Sequence, residues 1–368
     1  MKHEPLRVLF LLPGYAPHPI GGYKIVYEYA NALVERGHDV SIAQSWNFAF
    51  APHDKKFSIR TLKNLRHGLS ALRNRRPNWF KLDSRIHLTN HFKLTERKLP
   101  MPDVVVATAA QSAPLAAKIA QTSKGGGIYF IQHNEVWAAD AGFVKSTWEL
   151  PLRRVVIAPW LQDIGNRFNM PSTVVVNSID MDRFPLGKSI GERPLRIAAM
   201  VSPVVWKRTD LIASVFVLVK AAVPGVQAIT FGVCNRPAAL PDYVEHLKLP
   251  SESEIPLIYQ NARVFLCTSD YEGWHLPSNE AIVSGCTLVS TDIGGTRAYA
   301  SDFARFAPVG DAVALATEVI ALLKDPDECT RLSEAGSTSL RSYSRADAID
   351  AFERELAAAV CTERPHGL

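Results

Sequence analysis

Two glutamates, Glu272 and Glu280, stand with seven residues between them in the run Asp270-Tyr-Glu-Gly-Trp-His-Leu-Pro-Ser-Asn-Glu-Ala-Ile-Val-Ser-Gly285. Before them lies Arg263-Val-Phe-Leu-Cys-Thr-Ser269, short and β-branched enough for a buried parallel strand, and after them a helical pattern stops at Gly285. The spacing therefore predicts a strand-to-helix turn, with Pro277 in the first helical position, where a fixed φ and a missing N–H cost nothing. The N–H groups of such a first turn and the positive end of the helix dipole suit a phosphate or another anion. Carboxylates beside an anion site repel phosphate and accept hydrogen bonds from neutral hydroxyls, so the ligand implied carries both phosphate and hydroxyls, as a nucleotide sugar does. The competing reading is a capped helix with two surface glutamates.

The elements that would position this turn are those of an α/β protein. Leu6 to Gly14 reads as a first buried strand, Tyr23 to Arg36 as a helix ending at Gly37, and Asp39 to Ala43 as a second strand, which together make a βαβ opening. Further strands are predicted at Asp103 to Thr108, Gly127 to Gln132, Arg154 to Ala158 and Thr173 to Val176, with helices between. The stretch from Pro185 to Pro194 is rich in Gly, Pro, Ser and charge, as a linker is. A second α/β unit opens at Leu195 to Ser202 and continues through strands at Val226 to Val233, Arg263 to Thr268 and Thr287 onward. Helices are predicted at Ile255 to Ala262, Asp311 to Leu323, Asp327 to Arg341 and Arg345 to Val360. The domain reading is a first domain at 1–184, a linker at 185–194, a second domain at 195–343 and a C-terminal helix in 344–368.

Composition narrows the class. The 368 residues suffice for two cores of ordinary size, and 47% hydrophobic with 21% charged residues is the balance of a soluble globular protein. Five cysteines, at 234, 267, 286, 329 and 361, show no paired metal spacing, which argues for a reducing compartment and no structural zinc. The apolar run Val8 to Leu12 is too short for a signal peptide or a membrane span, so a cytoplasmic protein is expected. The net charge of +5 is uneven: residues 55–98 carry thirteen Lys and Arg against Asp83 and Glu96. Within that stretch Leu62, Leu65, Leu69 and Leu72 recur at helical spacing, while Lys63, Arg66 and Arg73 fall off the stripe. This basic amphipathic helix either packs its leucines on the core or docks on an anionic membrane surface. No nucleic-acid module is recognisable in it.

Three further places carry candidate chemistry. Gly21-Gly22, between the first strand and helix, is a weak phosphate-loop signal, or simply a turn needing positive φ. His133 ends a parallel strand, in Tyr129-Phe-Ile-Gln-His-Asn-Glu135, where side chains reach the ligand edge of a sheet; a structural histidine is the alternative. Glu135 and Trp137 follow it as candidates for an acceptor groove. Lys207 and Arg208, in Pro203-Val-Val-Trp-Lys-Arg-Thr-Asp-Leu211, follow the first strand of the second unit, as phosphate-binding cations or as exposed charges at a helix start.

Taken together these segments resemble family 4 retaining glycosyltransferases of the GT-B fold, whose two Rossmann-like parallel-sheet domains face each other across a cleft. Glu272-Gly-Trp-His-Leu-Pro-x-x-Glu280-Ala is similar to the glutamate-x7-glutamate signature, with Trp274-His275 where Phe-Gly is usual. Val174-Val-Val-Asn-Ser-Ile-Asp-Met-Asp-Arg-Phe184 resembles the segment that closes the N-terminal domain. Lys207 matches the lysine that neutralises the leaving diphosphate, while Met200 stands at the arginine position and Arg208 is the candidate substitute. The resemblance implies a donor site of Gly21, Gly22, Lys207, Arg208, Leu249, Gly273, Trp274, His275, Leu276, Pro277 and Glu280. Glu272, Lys207, Arg208 and His133 would serve the chemistry, with Glu272 on the transferred sugar and Glu280 on the ribose. It implies a nucleoside-diphosphate-sugar donor, no cofactor or metal, and a glycan or lipid-linked acceptor in bacterial cell-envelope or exopolysaccharide synthesis, to which the basic segment itself would add peripheral membrane contact through 55–98. A catalytically silent nucleotide-sugar-binding protein is the alternative, and a structural membrane-surface protein a further one.

Overall fold

The computed structural model describes residues 4–45, 76–123 and 125–361. The stripe of Leu62, Leu65, Leu69 and Leu72, with Lys63, Arg66 and Arg73, lies outside them. Contacts divide the chain into two compact units, Met1–Asn177 with Ala346–Leu368, and Ser178–Arg345.

In the first unit the order is β1 (Arg7–Leu12), α1 (Gly21–Glu35), β2 (Asp39–Ser45), β3 (His87–His91), β4 (Val104–Ala107), α2 (Ala113–Ser123), β5 (Gly126–Ile131), α3 (Ala141–Trp148), β6 (Arg153–Val156), α4 (Pro159–Arg167) and β7 (Thr173–Val174). Among the described residues these strands form one parallel sheet in the order β3-β2-β1-β4-β5-β6-β7. Strands such as Val104–Ala107 are buried on both faces, which is why they read as unbroken apolar runs. The edge strand β3, His-Leu-Thr-Asn-His, has no such run and was not expected from the sequence.

The last helix, α11 (Arg345–Cys361), belongs from Ala346 onward to this first unit. Phe352 is fully buried on it, 4.4 Å from the Tyr29 ring and 5.2 Å from that of Phe130. Glu353 accepts from Arg36 at 2.5 Å and lies 3.0 Å from His38 Nε2, while Arg153 pairs with Glu355.

The second unit runs β8 (Arg196–Met200), α5 (Thr209–Ala222), β9 (Gln227–Gly232), β10 (Val244–Lys248), α6 (Glu254–Gln260), β11 (Val264–Cys267), α7 (Leu276–Val283), β12 (Thr287–Thr291), α8 (Gly294–Ala300), β13 (Arg305–Ala307), α9 (Ala312–Lys324) and α10 (Pro326–Arg341). Its strands are again all parallel, in the order β10-β9-β8-β11-β12-β13. The sequence had not marked β10 and β13, which are the two polar or short edges of this sheet. The stretch 185–194 packs on this unit through Arg193, whose buried guanidinium donates to the carbonyls of Ala262 (2.8 Å) and Ser284 (3.1 Å).

Both sheets reverse their strand order at one point, between β1 and β4 in the first and between β8 and β11 in the second. Open parallel sheets bind ligands outside the carboxyl ends of the strands at such points. In the second unit the loops that leave this point carry Lys207 and Glu272.

Candidate functional site

Lys207 closes a single 3₁₀ turn, Val205–Lys207, after β8. Glu272 lies in the turn between β11 and α7. Thr268 ties the two loops together by donating its hydroxyl to the carbonyls of Lys207 (3.0 Å) and Arg208 (3.1 Å), and the Asp270 N–H donates to the Trp206 carbonyl at 2.8 Å. Trp206 and Tyr271 stack above this seam, 5.5 Å between centroids. With the backbones so fixed, the Lys207 ammonium meets the Glu272 carboxylate in an ion pair whose side chains are 19% and 10% exposed.

Burial pushes the Glu272 carboxyl up, but the Lys207 charge, the neighbouring His275 and the Lys207 hydrogen bond together bring it below the usual carboxylate range. Burial holds the His275 imidazole down at about 4, so at neutral pH it is uncharged and Lys207 is the cation that keeps Glu272 ionised. An ammonium has three donors, and one of them serves Glu272.

His275 is the N-cap of α7 and takes φ +61°, a left-handed conformation that side chains other than those of glycine, Asn and Asp seldom adopt. Its Nδ1 lies 2.6 Å from Ser278 Oγ, and its carbonyl accepts from the Tyr299 hydroxyl at 3.1 Å. Trp274 packs on the Tyr299 ring at 4.8 Å, with its indole nitrogen buried and without a hydrogen-bond partner among the described residues. The sequence places Trp274 and His275 in the turn, yet nothing in it announces the left-handed cap or the Tyr299 support. Leu276 and Pro277 form the first turn of α7, as the spacing predicts. Gly295, at the start of α8, lets the turn approach: a Cβ there would stand 2.5 Å from the Glu272 carbonyl oxygen.

Glu280, one turn into α7, is 7% exposed and accepts from the Tyr259 hydroxyl at 3.1 Å. Tyr259, on α6, is fully buried among Phe184, Phe231 and Phe265. That partner was not legible, because it depends on a packed aromatic cluster drawn from α6, β9, β11 and the loop that holds Phe184.

Arg208 is held differently from the expectation of a phosphate-facing guanidinium. It sits at φ +51° before α5, and its guanidinium donates to Asp210 (2.9 Å) and Asp270 (3.1 Å). Asp210 first, then Asp270, raise its pKa against the effect of burial. Two carboxylates therefore neutralise this cation and make it a clamp between the β8 and β11 loops. Met200 ends β8. Leu249, also left-handed at φ +50°, is 44% exposed after β10, with its N–H donating to the Gly232 carbonyl at 2.7 Å.

The remaining sequence candidates lie in the first unit. Gly21 and Gly22 form the first turn of α1 and not a preceding loop, and neither has positive φ. The Gly22 carbonyl accepts from Gln132 Nε2 at 3.2 Å, and a Cβ on Gly22 would touch that amide at 3.4 Å. The pair thus allows α1 to begin against the end of β5. His133 follows Gln132 with Nδ1 2.9 Å from the Asn134 carbonyl, edge-on to Trp137 and to Trp160. The structure brings Lys207, Glu272, Gly273, Trp274, His275, Leu276, Pro277 and Glu280 together in the second unit, and Gly21, Gly22 and His133 at the carboxyl edge of the first sheet. Among the described residues no helix is long and apolar enough to cross a membrane.

The family described as Glycosyl transferases group 1 matches residues 238–339, which hold α7 and the turn before it. No curated protein matches the chain. Solved structures similar over nearly their full length include HepE of Anabaena in complex with UDP and glucose, at 12% identity and TM-score 0.69, with 96% of this chain and 100% of that one covered. A sucrose-phosphate synthase from Thermosynechococcus elongatus matches at 14% identity and TM-score 0.69, covering 96% and 99%. The catalytic domain of starch synthase IV from Arabidopsis thaliana, bound to ADP and acarbose, matches at 13% identity and TM-score 0.64, covering 97% and 100%.

Proposed function

We propose that this chain, whose fold is GT-B with two Rossmann-like parallel-sheet domains, transfers a sugar from a nucleoside-diphosphate sugar to a glycan or lipid-linked acceptor with retention of configuration. The observation that carries the reading is the Lys207–Glu272 pair at the N-terminus of α7. It sets a cation with spare donors, a buried carboxylate and a helix N-terminus at the reversal point of one parallel sheet. In this reading the diphosphate lies against Lys207 and the first turn of α7, which stabilise the charge that grows as the glycosidic C–O bond breaks. Glu272 orients hydroxyls of the transferred sugar, Glu280 accepts from the ribose, and Leu249 borders the base. Arg208 acts through the loops that it joins. The acceptor oxygen forms its bond to the anomeric carbon on the face the diphosphate leaves, and its proton goes to a departing phosphate oxygen.

The same reading has the protein work inside the cell on a cell-envelope or exported polysaccharide, by analogy with the family it resembles. A second reading, a nucleotide-sugar-binding protein without turnover, is favoured by the engagement of both Lys207 and Arg208 with carboxylates. Incubation with UDP-, GDP- and dTDP-glucose, followed by chromatography of released nucleotide with and without saccharide acceptors, separates the two. Release of nucleoside diphosphate supports the transferase, and saturable binding with no release supports the silent protein.

A further inference from the structure

The segment from Ser178 to Phe184, which the sequence assigns to the first domain, belongs to the second unit. Arg183 ties it there. Its guanidinium pairs with the Glu252 carboxylate at 2.8 Å, their side chains 25% and 65% exposed, and lies 5.8 Å from the centre of the Phe184 ring. Phe184 is buried, with its ring 6.1 Å from that of Tyr259, whose hydroxyl donates to Glu280 at 3.1 Å. Burial first, then the Glu280 carboxylate, push that hydroxyl up, and the Arg183 charge acts against them. Arg183 therefore stands between the residue that the donor reading gives to the ribose and the loop that it gives to the base.

That loop, Leu249-Pro-Ser-Glu-Ser253, leaves the carboxyl end of β10. Its two ends are fixed locally. The Leu249 N–H donates to the Gly232 carbonyl at 2.7 Å, and just before α6 the Ser251 N–H donates to the Glu254 carboxylate at 2.7 Å. Leu249 itself takes φ +50°, a conformation that costs free energy and persists only where its surroundings hold it. Glu252 adds a tie to a segment 69 residues earlier in the chain, and stability does not account for it. An ion pair this exposed contributes little. The Arg183 Nε, moreover, is buried with no hydrogen-bond partner among the described residues, which costs free energy. What the pair does fix is where the loop lies.

We infer that Arg183 is a positioning residue for the nucleoside end of the donor site, holding the loop 249–253 through Glu252 in the conformation that receives a base. The inference rests on the donor reading above, in which Leu249 borders the base and Glu280 accepts from the ribose. It separates recognition of the nucleoside from recognition of the diphosphate, which that reading gives to Lys207 and the first turn of α7. Arg183 acts through Glu252, and no contact with the reacting atoms is assigned to it. Loss of the pair then weakens ligands that carry a nucleoside and spares those that carry only phosphate.

The test is calorimetric titration of the full chain with UDP, GDP, dTDP and inorganic pyrophosphate, alongside amide hydrogen exchange of Leu249 to Ser253 without ligand. Arg183→Ala should weaken the nucleotide that the wild type binds by roughly fivefold, the upper end for a pair of this exposure, and leave pyrophosphate affinity unchanged. Exchange in the loop should quicken, while the denaturation midpoint stays near that of the wild type. Glu252→Gln should reproduce these effects. The reversed pair, Arg183→Glu with Glu252→Arg, should recover most of the nucleotide affinity, which a merely structural role for either side chain would not produce. Unchanged nucleotide affinity in Arg183→Ala, a pyrophosphate affinity that falls by the same factor, or no recovery in the reversed pair would overturn the positioning role and leave the donor reading standing. Failure of the wild type to bind any of the three nucleotides would overturn the donor reading and, with it, the nucleoside role of Arg183.

Discussion

The ammonium of Lys207 is paired with the carboxylate of Glu272, across 65 residues of sequence and between the loops that leave β8 and β11. The pair is mostly removed from solvent, and His275 beside it is held uncharged at neutral pH. Removing one partner of a buried pair strands the other.

Lys207→Ala should therefore lower stability by about 3 kcal/mol in urea unfolding. Replacing both partners with apolar residues, as in Lys207→Met with Glu272→Leu, should restore a large part of that loss. In turnover, Lys207→Ala should reduce kcat more than donor affinity, since leaving-group charge grows toward the transition state. Equal losses in kcat and affinity would mark Lys207 as a uniform binding residue.

Glu280→Ala should weaken nucleotide-sugar binding by about 1.5–3 kcal/mol, the range for a hydrogen bond to a charged group. Tyr259→Phe removes only the donor behind Glu280 and should cost binding less, with the aromatic cluster preserved. Calorimetric titration of both variants checks the order of effects, and unchanged affinity in a folded Glu280→Ala would remove that residue from the site.

His275 gives the second unit an acid-sensitive step. Its folded pKa of about 4 lies below the ordinary 6.5, so as pH falls the unfolded chain takes the proton first. The stability it contributes is whole above about pH 6.5 and falls by about 3 kcal/mol by pH 4. Glu272, with its depressed carboxyl, adds a loss of the same sign at lower pH. His275→Gly, which suits the left-handed φ, should flatten the decline between pH 6.5 and pH 4. An unchanged slope in denaturant midpoints across that window would refute this account of the imidazole.

Gly295→Ala brings a methyl group against the Glu272 carbonyl, where a Cβ has 2.5 Å of space. Backbone cannot yield as a flexible side chain can, so the turn must shift. The expected result is a loss of stability of about 1–3 kcal/mol together with weaker donor binding. The same change at Gly22, where the neighbour is the Gln132 side chain at 3.4 Å, should be tolerated.

Much of this arrangement was legible in the sequence because buried parallel strands announce themselves as short apolar runs, as Val104–Ala107 and Val264–Cys267 do. The turn from Asp270 to Gly285 was equally plain, since Pro277 and Gly285 mark the two ends of one helix. The edge strands β3, β10 and β13 were not, because an edge carries polar residues and its pairing is fixed by its neighbour. Within the site, Glu272, Glu280 and Lys207 could be picked out by type and spacing. Their partners could not: Tyr259, Ser278, Tyr299 and the Asp270 contact to Arg208 exist only once separate elements pack. Arg208 shows the limit best: the sequence offers it as a second cation beside Lys207, and the two aspartates that hold it come into view only in the fold.

The proposed seat of a nucleoside-diphosphate sugar at Lys207, Glu272 and Glu280 of the second unit is tested by thermal unfolding of the full chain against UDP-, GDP- and dTDP-glucose. A donor present at one hundred times its Kd adds about 2.7 kcal/mol to stability. One of the three should raise Tm in a concentration-dependent way in the wild type and lose that effect at the same concentrations in Glu280→Ala. No rise with any of them, or an equal rise in the wild type and Glu280→Ala, would contradict it.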